Sequence, residues 1–182
     1  MVLSSSSFSA PTYPLISAPV PLKTFNRARL TLSGRWTTQY DQGGLLLHLT
    51  QPGAAASSGS DRWLKTGIEY YQSRAFLSTV ATQTYSDWSV MPPADGESKS
   101  VTVEVRREGD ALGTSLWVYE LVLGDDGQVK ERRPLRECTW WFAEEDGWVI
   151  DVRAMAARPA SKADVGGDLV VTFQDVEIDL SL

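Results

Sequence analysis

The residues able to do chemistry in this chain are few, and their spacing excludes more than it permits. A nucleophilic triad needs a histidine, and the sequence has one, His48. It lies within an apolar run at 45–49, and no Gly-x-Ser-x-Gly turn offers it a serine. One histidine and one cysteine, Cys138, do not make up the ligand set of a zinc site, and a single cysteine forms no intramolecular disulfide. Gly166-Gly167 precedes a strand-like run and not a helix, so it is no phosphate loop. The acidic turns at 125–126 and 144–146 lack the spaced ligands of a calcium loop. Paired carboxylates stay open, because a glycosidase needs only two acids flanking the scissile bond. Glu69 with Glu104, Glu137 or Asp87 would serve if the strands bring them together. No catalytic residue, metal ligand or cofactor is assigned on these grounds.

A binding chemistry is better represented. Side chains alternate between the two faces of a strand, so each strand sequence separates into two sets. Over 40–49, Leu45, Leu47 and Leu49 share one face, and Tyr40, Gln42, Gly44, Leu46 and His48 the other. Over 63–71, Leu64, Ile68 and Tyr70 oppose Trp63, Lys65, Gly67, Glu69 and Tyr71. Over 101–107, three valines oppose Thr102, Glu104 and Arg106, while over 115–123 either Leu116 and Val118 or Trp117 and Tyr119 face inward. If the polar sets share one sheet, they combine Trp and Tyr with Lys, Glu, Gln and Arg. That mixture suits carbohydrate, whose C–H face stacks on a flat ring while its hydroxyls take paired donors and acceptors. The candidate ligand-binding residues are Gln42, Lys65, Glu69, Asp87, Trp88, Arg106 and Trp117. Lys65 and Glu69 would fix hydroxyls, Arg106 would orient Glu69 or the ligand, and Trp88 or Trp117 would stack. The plainer alternatives are tryptophans serving as core and edge covers, and a Lys65–Glu69 pair of little consequence. Asp87 with Ser86 and Ser89 would then simply tie a turn.

The elements that must position these groups read as strands. Runs at 25–32, 43–49, 64–71, 76–82, 101–107, 115–123, 136–142, 149–156 and 169–178 alternate or are rich in β-branched and aromatic residues. Turn chemistry separates them at 52–61, 92–96, 109–110, 125–127 and 144–147. No long stretch has helical periodicity, and about nine strands in one domain imply two packed sheets or a barrel. Residues 1–24 read as a Ser/Pro-rich extended arm and 25–182 as the β-sandwich domain, because the prolines interrupt helix and sheet alike. The net charge of −6 and pI near 4.8 argue against a nucleic-acid or anionic-membrane binder. The proline-broken N-terminus does not read as a signal peptide and no apolar run approaches bilayer-spanning length, so a cytoplasmic address is expected, in keeping with the cysteine usage.

Three ordered pieces carry a family resemblance: Tyr40-Asp41-Gln42-Gly43-Gly44-Leu45, Trp63-Leu64-Lys65-Thr66-Gly67-Ile68-Glu69-Tyr70, and Tyr85-Ser86-Asp87-Trp88-Ser89. Further pieces lie at 101–110, 116–119, 134–137 and 154–159. Together the series, over roughly 25–178, resembles an uncharacterised family of concanavalin A-like fold, some of whose fungal members are called regulation-of-enolase proteins. The resemblance implies an all-β, concanavalin A-like jelly-roll sandwich of two antiparallel sheets, a cytoplasmic setting, and a regulatory link to carbon metabolism in at least one relative. It implies no catalytic residues. The Glu-x-Asp-x-x-Glu strand of glucanases with this fold is not matched, since the nearest run, at 177–182, lacks the last carboxylate. Relatives also carry a longer opening segment, so a sheet here is expected to lack part of its first strands, and an unpaired edge favours dimerisation.

The leading expectation is a non-catalytic module binding a carbohydrate or polar metabolite on a concave sheet face. The second is a protein–protein regulator, with enolase as the implied partner, docking through the aromatic run at 138–142 or the arm. The third is a glycosidase using Glu69 and a second carboxylate. Whether Lys65, Glu69 and Trp88 line a groove or are covered separates them.

Overall fold

A computed structural model describes residues 11–53, 61–96, 100–159 and 167–181. Most of the loop expected at 52–61, the first ten residues of the expected arm, and Gly166 lie outside the described residues. In chain order the strands are β1 (Thr12–Pro14), β2 (Val20–Pro21), β3 (Phe25–Gly34), β4 (Gln42–Thr50), β5 (Arg62–Tyr71), β6 (Arg74–Thr82) and β7 (Ser86–Met91), with a 3-10 turn at Leu22–Thr24. They continue as β8 (Ser100–Asp110), β9 (Gly113–Leu123), β10 (Val129–Cys138), β11 (Val149–Ala157) and β12 (Val171–Leu180).

Among the described residues these form two antiparallel sheets. One runs β1-β11-β4-β5-β6-β7, with β2 also on β11, and is seven-stranded; the other runs β10-β9-β8-β3-β12 and is five-stranded. The fold is an all-β sandwich of the jelly-roll kind. Its core is built by the alternation: Leu45, Leu47 and Leu49 of β4, Leu64 and Ile68 of β5, and Ile150 and Val152 of β11 face Leu30 and Leu32 of β3, Val103 and Val105 of β8, and Leu116 and Val118 of β9. Leu116 and Val118 are therefore the inward pair on β9. Each fully buried aliphatic side chain contributes roughly 1.5–3 kcal/mol of transfer free energy, so this set dominates the stability over any surface ion pair.

Three local features depart from the sequence pattern. β7 lies where a turn motif is expected: it is an edge strand, mostly exposed, and so has no buried alternation to betray it. β10 runs Val129–Cys138 and not over 136–142. It is an edge of the five-stranded sheet, Lys130, Glu131 and Arg132 are exposed while Arg133 pairs with the buried Glu120, and Pro134 sits at a bulge, which is how edge strands avoid further pairing. The aromatic run after it turns inward, burying Trp141 and Phe142 as a plug at the sandwich end, with Arg107 stacked 3.8 Å over the Phe142 ring. The β5–β6 turn uses Gln72 and Ser73 at positive φ, 48° and 63°, without a glycine to announce it.

Ahead of β3, within the stretch expected to be an arm, β1 and β2 both pair with β11, and Leu22 is buried against the core. Arg107 fastens this entry by donating to the carbonyls of Phe25 and Leu22, each at 3.0 Å. Among the described residues no helix is long and apolar enough to cross a membrane.

Candidate functional site

The registers place the outward residues of the seven-stranded sheet in rows. Gln42 stands opposite Glu69, Gly44 opposite Gly67, and Leu46 opposite Lys65. Across the next seam Lys65 meets Val80, Gly67 meets Ser78, Glu69 meets Phe76, and Val80 meets Trp88 of β7. The middle of this face is thus a pair of glycines. Their backbones approach so closely that a Cβ on Gly44 would lie 2.0 Å from the Thr66 carbonyl oxygen, and one on Gly67 2.1 Å from that of Gly43. Strand glycines of this kind mark close backbone approach, and here they also clear space on the face.

Lys65 occupies that space. Its stem reaches past Gly67, and its ammonium donates to Gln42 Oε1 and, at 3.1 Å, to Glu69 Oε2. Ser78 Oγ donates to the same Glu69 oxygen at 2.7 Å, and the Trp88 indole N–H donates to Ser78 Oγ at 3.0 Å. Gln42, Lys65, Glu69, Ser78 and Trp88 therefore form one polar chain across four strands. Burial pushes the Lys65 pKa below the ordinary lysine value, and Glu69 opposes this only in part. Beside the chain remains a depression of about 10 Å³ lined by Gln42, Lys65, Gly67, Ser78 and Met155, on the order of one water molecule.

Over this chain lies an aromatic shelf. Trp88 is 44% exposed and meets Tyr71 edge-on at 5.4 Å, and Tyr71 is stacked on Tyr40 at 5.9 Å, with Tyr40 itself 41% exposed. The Lys65 and Glu69 side chains are only 12% and 8% exposed. Of the three residues expected to line a groove, Lys65 and Glu69 are thus largely covered and Trp88 meets solvent, so what this face presents is the Tyr40 and Trp88 rings, joined by a half-buried Tyr71.

The rim is pinned from behind. Tyr40 has φ 68°, a strained value for a tyrosine, and its N–H donates to the Tyr70 carbonyl at 2.7 Å while the Tyr70 N–H donates to that of Asp41. The wholly buried Asp41 carboxylate accepts from the Thr37 and Thr38 amides, each at 3.0 Å, and from Arg158 Nε and Nη2 at 2.5 and 2.8 Å. Burial pushes the Asp41 pKa up, but the Arg158 guanidinium and the two amides outweigh it and hold the carboxyl below its ordinary value. Gln42 Nε2 donates back to the Tyr40 carbonyl at 3.3 Å, joining clamp to rim.

Of the residues singled out by sequence, Gln42, Lys65, Glu69 and Trp88 come together. Asp87 does not: alternation turns it to the other side of β7, where it pairs with Arg136 of β10 and bridges the two sheets at the edge. Arg106 and Trp117 lie on the outer face of the five-stranded sheet, so Arg106 cannot orient Glu69. There Glu104, fully buried, accepts from Arg132, Arg27 and Arg106 at 3.0, 3.4 and 3.5 Å, and Trp117 stacks on Tyr119 at 5.8 Å. The Tyr119 hydroxyl donates to Glu108, and burial together with that carboxylate pushes its pKa up to about 12. Of the acids weighed as partners for Glu69, Glu104 and Glu137 belong to the opposite sheet and Asp87 points away, so none flanks a common bond with it. Sequence reasoning missed Ser78 and the shelf role of Tyr40 and Tyr71. The facing glycines at 44 and 67 were the available signal.

Comparison with known proteins agrees with this fold and adds no activity. The family described as "Protein of unknown function (DUF1349)" matches over residues 4–179. An "Uncharacterized protein" of Emericella nidulans is 41% identical over 168 residues, covering 92% of this chain and 75% of that protein. A crystal structure of a functionally unknown protein from Saccharomyces cerevisiae superposes with a TM-score of 0.59 at 22% identity, over 96% of this chain and 75% of that one, which is a likeness of fold.

Proposed function

The chain belongs to the DUF1349 family of proteins of unknown function, and from that premise we propose that it is a non-catalytic binding module whose outer face on the seven-stranded sheet receives a carbohydrate or a related polar metabolite. The observation that carries this reading is the shelf of exposed Tyr40 and Trp88 joined by half-buried Tyr71, supported by the half-buried Gln42 and Lys65 and the buried Glu69 and Ser78. Aromatic rings give contact area at low entropic cost, and Trp88 has its N–H tied down to Ser78 as well. A solvent-facing tryptophan whose N–H is already bonded offers its ring face, the surface a pyranose stacks on. Glycosidase chemistry is disfavoured by the separation of the acids, and docking of enolase or another protein through the aromatic run by the burial of Cys138, Trp141 and Phe142. A cytoplasmic setting is part of the same proposal.

The test is a thermal-shift screen of mono- and disaccharides, with Trp88→Ala as the control. A ligand present at about 100 times its Kd stabilises the native state by ~2.7 kcal/mol, or about 5–10 °C for a domain of this size. The shift should vanish in the variant. A screen in which no saccharide moves the midpoint refutes the proposal.

A further inference from the structure

We propose that the ligand of this shelf is an uncharged saccharide or polyol, and that its phosphorylated and carboxylated counterparts are rejected; this rests on the binding reading above. The charges around the polar chain are already matched in pairs. Lys65 is paired with Glu69 at 3.1 Å, and Arg153 with Asp151 at 2.6 Å and with Thr12. The Lys65 and Glu69 side chains are 12% and 8% exposed, so neither can swing out to a new partner without stranding the other in a poorly hydrated place. An anion brought to Lys65 must either displace Glu69 or sit beside it. The first strands a carboxylate, and the second sets two negative groups together where screening is weak.

Beside Lys65 the described residues supply no further unpaired cation to offset this; the face's remaining cation, Arg74, stands at the start of β6 opposite Tyr71. Burial already holds the Lys65 pKa down, and the chain as a whole carries −6. Hydroxyl groups meet no such penalty: each can donate to a carboxylate oxygen or accept from the ammonium without a change of charge. Among the described residues of this face the cation outside these pairs is Arg74, at the start of β6, whose guanidinium lies 4.5 Å over the Phe76 ring. It is the group an anionic ligand would have to use, which makes it the natural control.

The experiment uses the full chain, labelled at the indole nitrogens, with the Trp88 resonance assigned through Trp88→Phe. Glucose, galactose, mannose and N-acetylglucosamine are each titrated beside their 6-phosphates. At least one neutral sugar is expected to shift the Trp88 signal and to bind at least tenfold more tightly than its phosphate. A phosphate that binds as tightly as its parent, or more tightly, overturns the inference while leaving the site a binding site; loss of that preference in Arg74→Ala would locate the error. If no sugar of either kind moves the Trp88 resonance, the functional proposal itself falls, and the inference with it.

Discussion

Removing the charge from Lys65 tests whether the polar chain under the shelf behaves as a buried unit. In Lys65→Met the stem that lies over the glycine pair is kept in length and the ammonium is lost. Glu69 then keeps Ser78 as a donor at 2.7 Å but loses its cation, with its side chain 8% exposed. Breaking one side of a buried pair costs about 3–5 kcal/mol; the retained serine bond and the residual exposure place this case near ~3 kcal/mol. That is a fall in melting temperature of about 6–12 °C. Glu69→Leu should cost a similar amount, since it leaves the ammonium with Gln42 alone. The double variant removes both charges and both desolvation penalties, so it should lose no more than ~2 kcal/mol, giving a coupling energy on the order of 4 kcal/mol. Urea denaturation followed at a common m-value measures all three. Singles costing below ~1 kcal/mol, or a double equal to their sum, would show a surface-type pair and refute the reasoning.

Other consequences are as direct. The Asp41 pKa is depressed in the native state, so its contribution is present above the unfolded carboxyl value and is lost as pH falls through the lower native one; Asp41→Asn should lose stability at neutral pH and flatten the acid limb of a stability–pH curve. In Gly67→Ala the new Cβ would meet the Gly43 carbonyl at 2.1 Å, so β4 and β5 must part; a cost of about 3 kcal/mol or more in denaturation is expected, with no rescue from a second substitution on the face. The Cys138 thiol is 2% exposed and burial pushes its pKa up to about 12, so thiol reagents at pH 8 should label it only through unfolding, at a rate that rises with urea. Fast labelling in the absence of urea would contradict the packing described.

The strands with one buried face were legible in the sequence because the hydrophobic effect writes them with a period of two. β4, β5, β8 and β11 are of this kind, and Gln42, Lys65 and Glu69 follow from them at once. The edge strand β12 was still readable, at 169–178, but the edges β7 and β10 were not. β7 and β10 bury too little on either face to leave a pattern, while the aromatics after β10 mimic a strand and act as a plug. Arg106 and Trp117 were misplaced for a different reason. Outwardness is a local property, but which sheet a strand joins is decided by long-range pairing, and β8 joins β3 and β9, not β5. Ser78 escaped notice because a lone serine in a strand carries no signal until the register sets it between Glu69 and Trp88.

The Asp41–Arg158 clamp ties together residues 117 apart in the chain, and this has a kinetic meaning. Contacts of such separation form late, once the loop-closure entropy of the intervening chain has been offset by other pairings. The β4–β5–β6 meander that carries Lys65, Glu69 and Ser78 is local and can assemble early. Tyr40 meets Tyr70 with that meander, but the Asp41 clamp behind it is completed only when β11 docks and delivers Arg158. During refolding, the Thr37 and Thr38 amides should therefore gain protection from hydrogen exchange after those of β5, and the rim of the shelf would be the last part of the site to become rigid.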